Sequence, residues 1–371
     1  MTELNSDIIK RIIHDRDSDI DQVNQSFIDE LIKEISIKKI SLQSVVKYLK
    51  ESLCNGNLSI FLGSGISLEH GIPTWSSLLK NSLINALCNK ENADKNLIAS
   101  FSQIYSDVFF NNYLSSAKQI KLILKNQAFS KEFKEIIRSI LYNNLTFNQH
   151  SNFYRSLANL CSGVRGQGNI SSIITYNYDD LIETYLSKLE IKIPFKSYSS
   201  QPKYPLKSGE LPIFHVHGFL PRNINKDSSA SIILSEEDYF RLYNDPFHWA
   251  NQTQYNALLN NVCLFIGLSM DDPNLRRLLE LSEQHSRRKI KHICIIRDQP
   301  PEQIKEKIVK SLSNNKISDS IPENFTSEDN ISRLTNLQKT LFIKEMNSLG
   351  CRILFISDFN EIPGIINQIP N

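Results

Sequence analysis

Apolar positions change their period several times along the chain, and the changes mark out its elements. Across residues 1–53 they recur at helical spacing, with Ile20, Val23, Phe27, Leu31 and Ile35, then Leu42, Val45, Val46, Leu49 and Leu53. This predicts an N-terminal helical extension. Such an arm either packs onto the neighbouring domain or serves oligomerisation or partner binding, and the pattern fits both readings. Leu58 to Leu62 is a short continuous apolar run stopped by Gly63, as a buried parallel strand would be. Trp75, Leu78, Leu79, Leu83 and Leu87 return to the helical period. Residues 92–160 continue in it, with Phe101, Ile104, Tyr105 and Val108, and later Phe133, Ile136, Ile137, Ile140 and Leu141, on single faces. That stretch predicts a helical insertion. Apolar runs then alternate with helical ones: ISSIITY, LPIFHVHG, ASIIL, NVCLFIGLSM, KHICIIRD and CRILFIS. The alternation predicts an α/β fold, a doubly wound parallel sheet with helices on both faces. Residues 311–330 are polar and predict a surface loop. The expected organisation is therefore the extension at 1–53 and one domain over 54–371, with the insertion at about 92–160.

Composition narrows the classes. The 371 residues are 40% hydrophobic, enough for a sizeable core, and the formal net charge of +2 gives no global field toward nucleic acid or an acidic membrane. The short basic run RRKIKH at 287–292 fits a solvated helix end, so a nucleic acid is not expected as a direct ligand. Six cysteines are scattered, none closer in sequence than Cys263 and Cys294, which suits neither a metal knuckle nor a disulfide framework. Reduced thiols, a charged start (TELNSDIIKRIIHDRD) and the lack of a long apolar run lead to the expectation of a soluble cytoplasmic protein.

In open parallel sheets ligands sit beyond the carboxyl ends of the strands, so the residues just after each apolar run carry the candidate chemistry. After the first run come Gly63, Ser64, Gly65 and Ser67, a turn suited to holding a diphosphate on backbone N–H groups. No Lys-Ser/Thr pair follows, so metal-assisted phosphoryl transfer is not indicated. After ISSII comes TYNYDD, where Asn177 and Asp179 project the same way from a strand end, either as site residues or as a helix cap. After LPIF, His215 and His217 share a strand face; without a third ligand they read as an edge pair or as one catalytic imidazole beside Gly218. After NVCLFI, Gly267 and Ser269 form a second small-residue turn, and Asp-Pro-Asn at 272–274 is ordinary helix-start chemistry.

Taken in order, Gly-Ser-Gly-Ile-Ser with Gly71-Ile72-Pro73, Thr-x-Asn-x-Asp, His-Gly and Gly-x-Ser resemble the sirtuin family over roughly residues 50–300, in particular its bacterial antiphage branch. The resemblance implies a Rossmann-type NAD site. Gly63, Ser64, Gly65 and Ser67 match the diphosphate loop, and Pro73, Thr74 and Trp75 the flexible segment over the nicotinamide side. Asn177 and Asp179 match the pair near the nicotinamide ribose and carboxamide, His217 the catalytic histidine, and Gly267 and Ser269 a cofactor loop toward the adenosine. There are departures. The four-cysteine zinc module is missing, so no zinc is expected; Tyr176 stands where the family has Gln, Trp75-Ser76 replaces Phe-Arg, and Ile296-Arg297-Asp298 offers no adenosine-side asparagine.

The activity implied is NAD glycohydrolysis to nicotinamide and ADP-ribose, with Asn177 and His217 catalytic, in an effector that depletes NAD during abortive infection. A homo-oligomer and a regulatory partner, such as an ATPase or a phage-recognising protein, would restrain it. The alternatives are a subunit that binds NAD or ADP-ribose without turnover, and an NAD-dependent protein deacylase.

Overall fold

The structure, a computed structural model, describes residues 40–370 apart from 89–94, 110, 111, 127–132, 149, 163–167, 189–193, 204, 208, 224–231, 287–290 and 316–326. The predicted features at residues 1–39, and most of the basic run at 287–292, lie outside the described residues.

Seven strands form one parallel sheet: β1 (Leu58–Leu62), β2 (Ile170–Thr175), β3 (Phe195–Tyr198), β4 (Leu211–His215), β5 (Val262–Ile266), β6 (His292–Arg297) and β7 (Cys351–Ile356). Their order is β3-β4-β2-β1-β5-β6-β7. Every residue of β1, β4 and β5 is buried, which is why these segments read as unbroken apolar runs rather than as alternation. β1 pairs with β2 on one side, Ile60 opposite Ile173, and with β5 on the other, Ile60 opposite Leu264. The chain leaves β1 in one direction through β2 and β4 and returns to its other side for β5, β6 and β7. This reversal opens a crevice beyond the carboxyl tips of β1, β2, β4 and β5, the usual ligand position in a doubly wound sheet.

Thirteen helices are described along the chain. They are α1 (Leu42–Cys54), α2 (Trp75–Cys88), α3 (Lys95–Phe109), α4 (Tyr113–Asn126), α5 (Phe133–Tyr142), α6 (Asn152–Cys161) and α7 (Leu181–Lys188). Later come α8 (Glu236–Asn244), α9 (Trp249–Asn260), α10 (Pro273–His285), α11 (Pro301–Asn315), α12 (Glu328–Ser348) and α13 (Ile362–Asn367). Val45, Leu49 and Leu53 of α1 join the core around β1, so this helix packs by the face its periodicity marks. The sheet unit comprises residues 40–297 and 349–371; α11 and α12 cluster in a second unit, within which Lys339 Nζ donates to Asp298 Oδ2 at 2.6 Å.

Several local expectations differ from the structure. β3 is an added edge strand that carries no continuous apolar run, only three half-buried residues and the exposed Lys196, and so escaped the pattern. Ile232 to Leu234 of the ASIIL run are buried but form no strand; Ile233 N–H donates to His217 O at 2.8 Å and Ile233 O accepts from the Tyr178 hydroxyl at 2.5 Å. Their apolar side chains cover the β4 tip instead of joining the ladder. In α3, Ser102 is buried while Leu97, Phe101 and Ile104, on one stripe, are exposed, so the apolar face of that helix is not its core face. Of the stretch at 311–330, residues 316–326 lie outside the described residues, while 311–315 and 328–330 belong to α11 and α12.

Candidate active site

The β1 turn and the β5 turn are bonded backbone to backbone. Gly63 N–H donates to Ile266 O and Gly65 N–H to Gly267 O, each at 3.0 Å, while Ile66 and Ser67 N–H close on Gly63 O and Ser64 O within the turn. Several of the amides expected to face a diphosphate are thus used internally, and the glycines serve close approach: a Cβ on Gly63 would lie 2.5 Å from Gly267 O. Gly267 has φ +70, a left-handed conformation that favours glycine. Nearby Met270, buried and not glycine, has φ 65, local strain of the kind that collects at functional sites.

Ser67 turns inward. Its hydroxyl oxygen accepts from Asn177 Nδ2 at 3.1 Å, donates to Asp179 Oδ2 at 3.0 Å, and lies 3.4 Å from the Tyr154 hydroxyl. Tyr154 is itself held by stacking on Tyr185, with centroids 4.2 Å apart. One serine from the β1 turn therefore fixes both polar side chains at the β2 tip. Asp179 Oδ1 accepts from Leu181 N–H at 3.1 Å at the start of α7, and the residue also lines the cavity at the strand tips. Burial pushes its carboxyl up to about 6, against the hydrogen bonds from Leu181 and Ser67. Asn177 Oδ1 is buried with no hydrogen-bond partner among the described residues.

The two histidines of β4 and its tip divide their work. His215 is a structural imidazolium: Nε2 donates to Glu183 Oε1 at 2.7 Å and Nδ1 to Asn177 O at 3.0 Å. Burial opposes its charge, but the Glu183 carboxylate, the Asn177 carbonyl and Asp179 together outweigh burial and raise its pKa; His215 and the Ser197 hydroxyl in turn hold Glu183 below the usual carboxylate range against its own burial. His217 is different. Its Nε2 is buried without a hydrogen-bond partner among the described residues, 3.6 Å from Asp272 Oδ2, and burial lowers its pKa, so the ring is neutral at pH 7.

These tips enclose a cavity of about 510 Å³, within the ~300–1,000 Å³ typical of ligand sites. Of the sequence candidates, Ser64, Pro73, Trp75, Asn177, Asp179, His217, Gly267 and Ser269 line it; Gly63, Gly65, Ser67 and Thr74 lie behind or beside it. Trp75 Nε1 is another buried donor with no partner among the described residues. The sequence did not single out Tyr239 and Asp272, or Asn112, Tyr113 and Leu114 at the start of α4, which complete the wall. Asp272 was visible only as a helix start. No cluster of three or more His, Cys, Asp or Glu among the described residues could hold a metal ion.

Residues 171–318 match the SIR2-like domain. The match begins in β2 and takes in Asn177, Asp179, His217, Gly267, Ser269 and Asp272, while the glycine turn after β1 precedes it. Curated relatives include proteins named NAD(+) hydrolase ThsA. That of Enterococcus faecium is 24% identical over 331 residues, covering 88% of this chain and 57% of that protein. Those of Bacillus cereus (strain MSX-D12) and Acinetobacter baumannii (strain 532279) are each 24% identical, covering 88% and 90% of this chain and 56% of either relative. The chain thus spans about half the length of the curated relatives it matches. Within the matched span the cavity is lined from the tips of β2, β4 and β5, from Tyr239 of α8 and from the start of α10; outside it the lining comes from the β1 turn, α2, the start of α4 and Leu141 of α5.

Proposed function

We propose that this chain hydrolyses NAD to nicotinamide and ADP-ribose in the cavity at the tips of β1, β2, β4 and β5. The observation that carries the reading is the buried, unpartnered Asn177 Oδ1 and the buried His217 imidazole on two adjacent strand tips lining one cavity. Unsatisfied buried polar groups are costly and collect where a ligand completes them. The names of the relatives support the same chemistry.

The reaction needs little from a nucleophile, because the bond broken is to a cationic pyridinium nitrogen that departs with the electron pair as neutral nicotinamide, and the ribose passes through an oxocarbenium-like state. Positioning is the larger demand. The Asn177 amide, held from behind by Ser67, orients the ribose or the attacking water with its remaining oxygen. His217, neutral at working pH because it is buried, accepts the proton. Asp179 and the Pro73–Trp75 segment bound the nicotinamide end, and the turns carrying Ser64, Gly267 and Ser269 bound the diphosphate and adenosine side.

Incubation of the chain with NAD, followed by chromatography, is the test. The expected result is one nicotinamide for each ADP-ribose; NAD recovered unchanged, in the presence or absence of infected-cell extract, would remove the reading. An antiphage effector restrained by assembly or by a partner fits an enzyme that consumes NAD. In that case NAD falls in infected cultures expressing the chain and holds steady in uninfected ones.

A further inference from the structure

Asp272 stands where two structures meet. Its Oδ1 accepts from Leu275 N–H at 2.7 Å and caps α10. Its Oδ2 points the other way, accepts the Tyr239 hydroxyl, and lies 3.6 Å from His217 Nε2. A helix cap requires only the first of these. The imidazole is 2% exposed and is gripped edge-on by Tyr176 from the β2 tip and Tyr239 from α8, with centroids 4.5 and 5.7 Å away. Burial first, and then the charge of Asp272, pushes both phenols far up, so they stay neutral. Among the described residues, Asp272 is the charged group whose field reaches the ring.

Resting on the NAD-hydrolase reading, we propose that Asp272 is a positioning residue for His217: its Oδ2 accepts the Nε2–H, fixing the tautomer in which Nδ1 is the proton acceptor. An N–H···O bond forms at about 2.7–3.2 Å, so the gap closes with a shift of less than ~1 Å, and such bonds commonly tighten when substrate binds. The step balances. Water gives its proton to Nδ1 as its oxygen bonds the ribose carbon, and the carbon–nitrogen bond breaks with its electron pair leaving on nicotinamide. The imidazolium, stabilised by the Asp272 carboxylate, releases the proton to solvent as the products depart. Tyr239 holds Oδ2 on the side of the ring, and the cap holds Oδ1, so the carboxylate is fixed from both ends. The same division of labour, carboxylate to imidazole to reacting group, underlies triads on unrelated folds.

The test uses Asp272→Asn and Asp272→Ser in the full chain. Both replacements are good helix caps, so α10 keeps its start. Asparagine presents an N–H to Nε2 and drives the ring proton to Nδ1; serine removes the carboxylate. Each is expected to lower kcat about 100-fold or more with KM within about threefold, and to move the acid limb of the kcat profile to lower pH. NMR of the His217 ring supplies a readout independent of turnover: a lower pKa than in the wild type in both variants, and the opposite tautomer in Asp272→Asn. Folded variants with unchanged kcat, tautomer and pKa would overturn the pairing. A wild-type chain that releases no nicotinamide counts against the NAD reading instead, and the tautomer and pKa then decide the pairing by themselves.

Discussion

Asn177→Ala and His217→Ala are each expected to cut nicotinamide release at least ~100-fold, and the double variant to bring it to background. Loss of a positioned proton acceptor costs about 10²–10⁴ in rate, and loss of a preorganised amide at a site of developing charge about 10²–10³. The two losses need not multiply, because both side chains serve one step. Neither change should unfold the protein. Asn177 Nδ2 gives up one hydrogen bond to Ser67, whose hydroxyl keeps Asp179 and Tyr154 as partners, and His217 Nε2 makes no hydrogen bond among the described residues. Rates measured alongside thermal melting separate the two effects. A folded double variant that still releases nicotinamide at the wild-type rate would remove these residues from the chemistry.

His215→Ala, two positions away, is expected to do the reverse and act on stability. It leaves Glu183 buried with its charge uncompensated, a change that costs about 3–5 kcal/mol. It also frees the backbone carbonyl of Asn177 from the Nδ1 hydrogen bond, loosening the β2 tip. The pH signature follows from the two shifts. His215 is raised, so its contribution is full below its usual 6.5 and is lost as pH climbs through the raised value. Glu183 is lowered, so its contribution is full above its usual 4.5 and is lost as pH falls through the lowered value. The wild type should therefore exceed the variant most between about pH 4.5 and 6.5, with the gap narrowing on either side. Denaturant unfolding across this range checks it; equal midpoints throughout would show that the pair contributes nothing.

The contrast between these histidines shows where sequence reasoning stops. The strand tips were legible, because fully buried parallel strands leave short apolar runs and the residues just beyond them are polar or small. The division between His215 and His217 was not. It depends on Glu183 lying under one ring and Asp272 beside the other, and neither partner is near its histidine in sequence. Ser67 read as part of a diphosphate turn; that its hydroxyl braces Asn177 and Asp179 required the fold. The glycines at 63 and 65 were visible as a turn; that they admit the Gly267 loop, rather than only a ligand, requires the packing of two segments some two hundred residues apart. Tyr239, on α8, and Asn112 to Leu114, at the start of α4, reach the cavity from helices whose own periodicity carries no trace of it. β3 gave no signal because a four-residue edge strand with no fully buried position needs no apolar run.

One cavity must hold one dinucleotide for this chemistry to work, and a structure of the Asn177→Ala variant with NAD bound tests that most directly. The nicotinamide ribose should lie between residue 177 and the His217 ring, with the diphosphate toward the paired turns that carry Ser64 and Gly267. A dinucleotide seated elsewhere on the chain, or a ribose out of reach of His217, would contradict it.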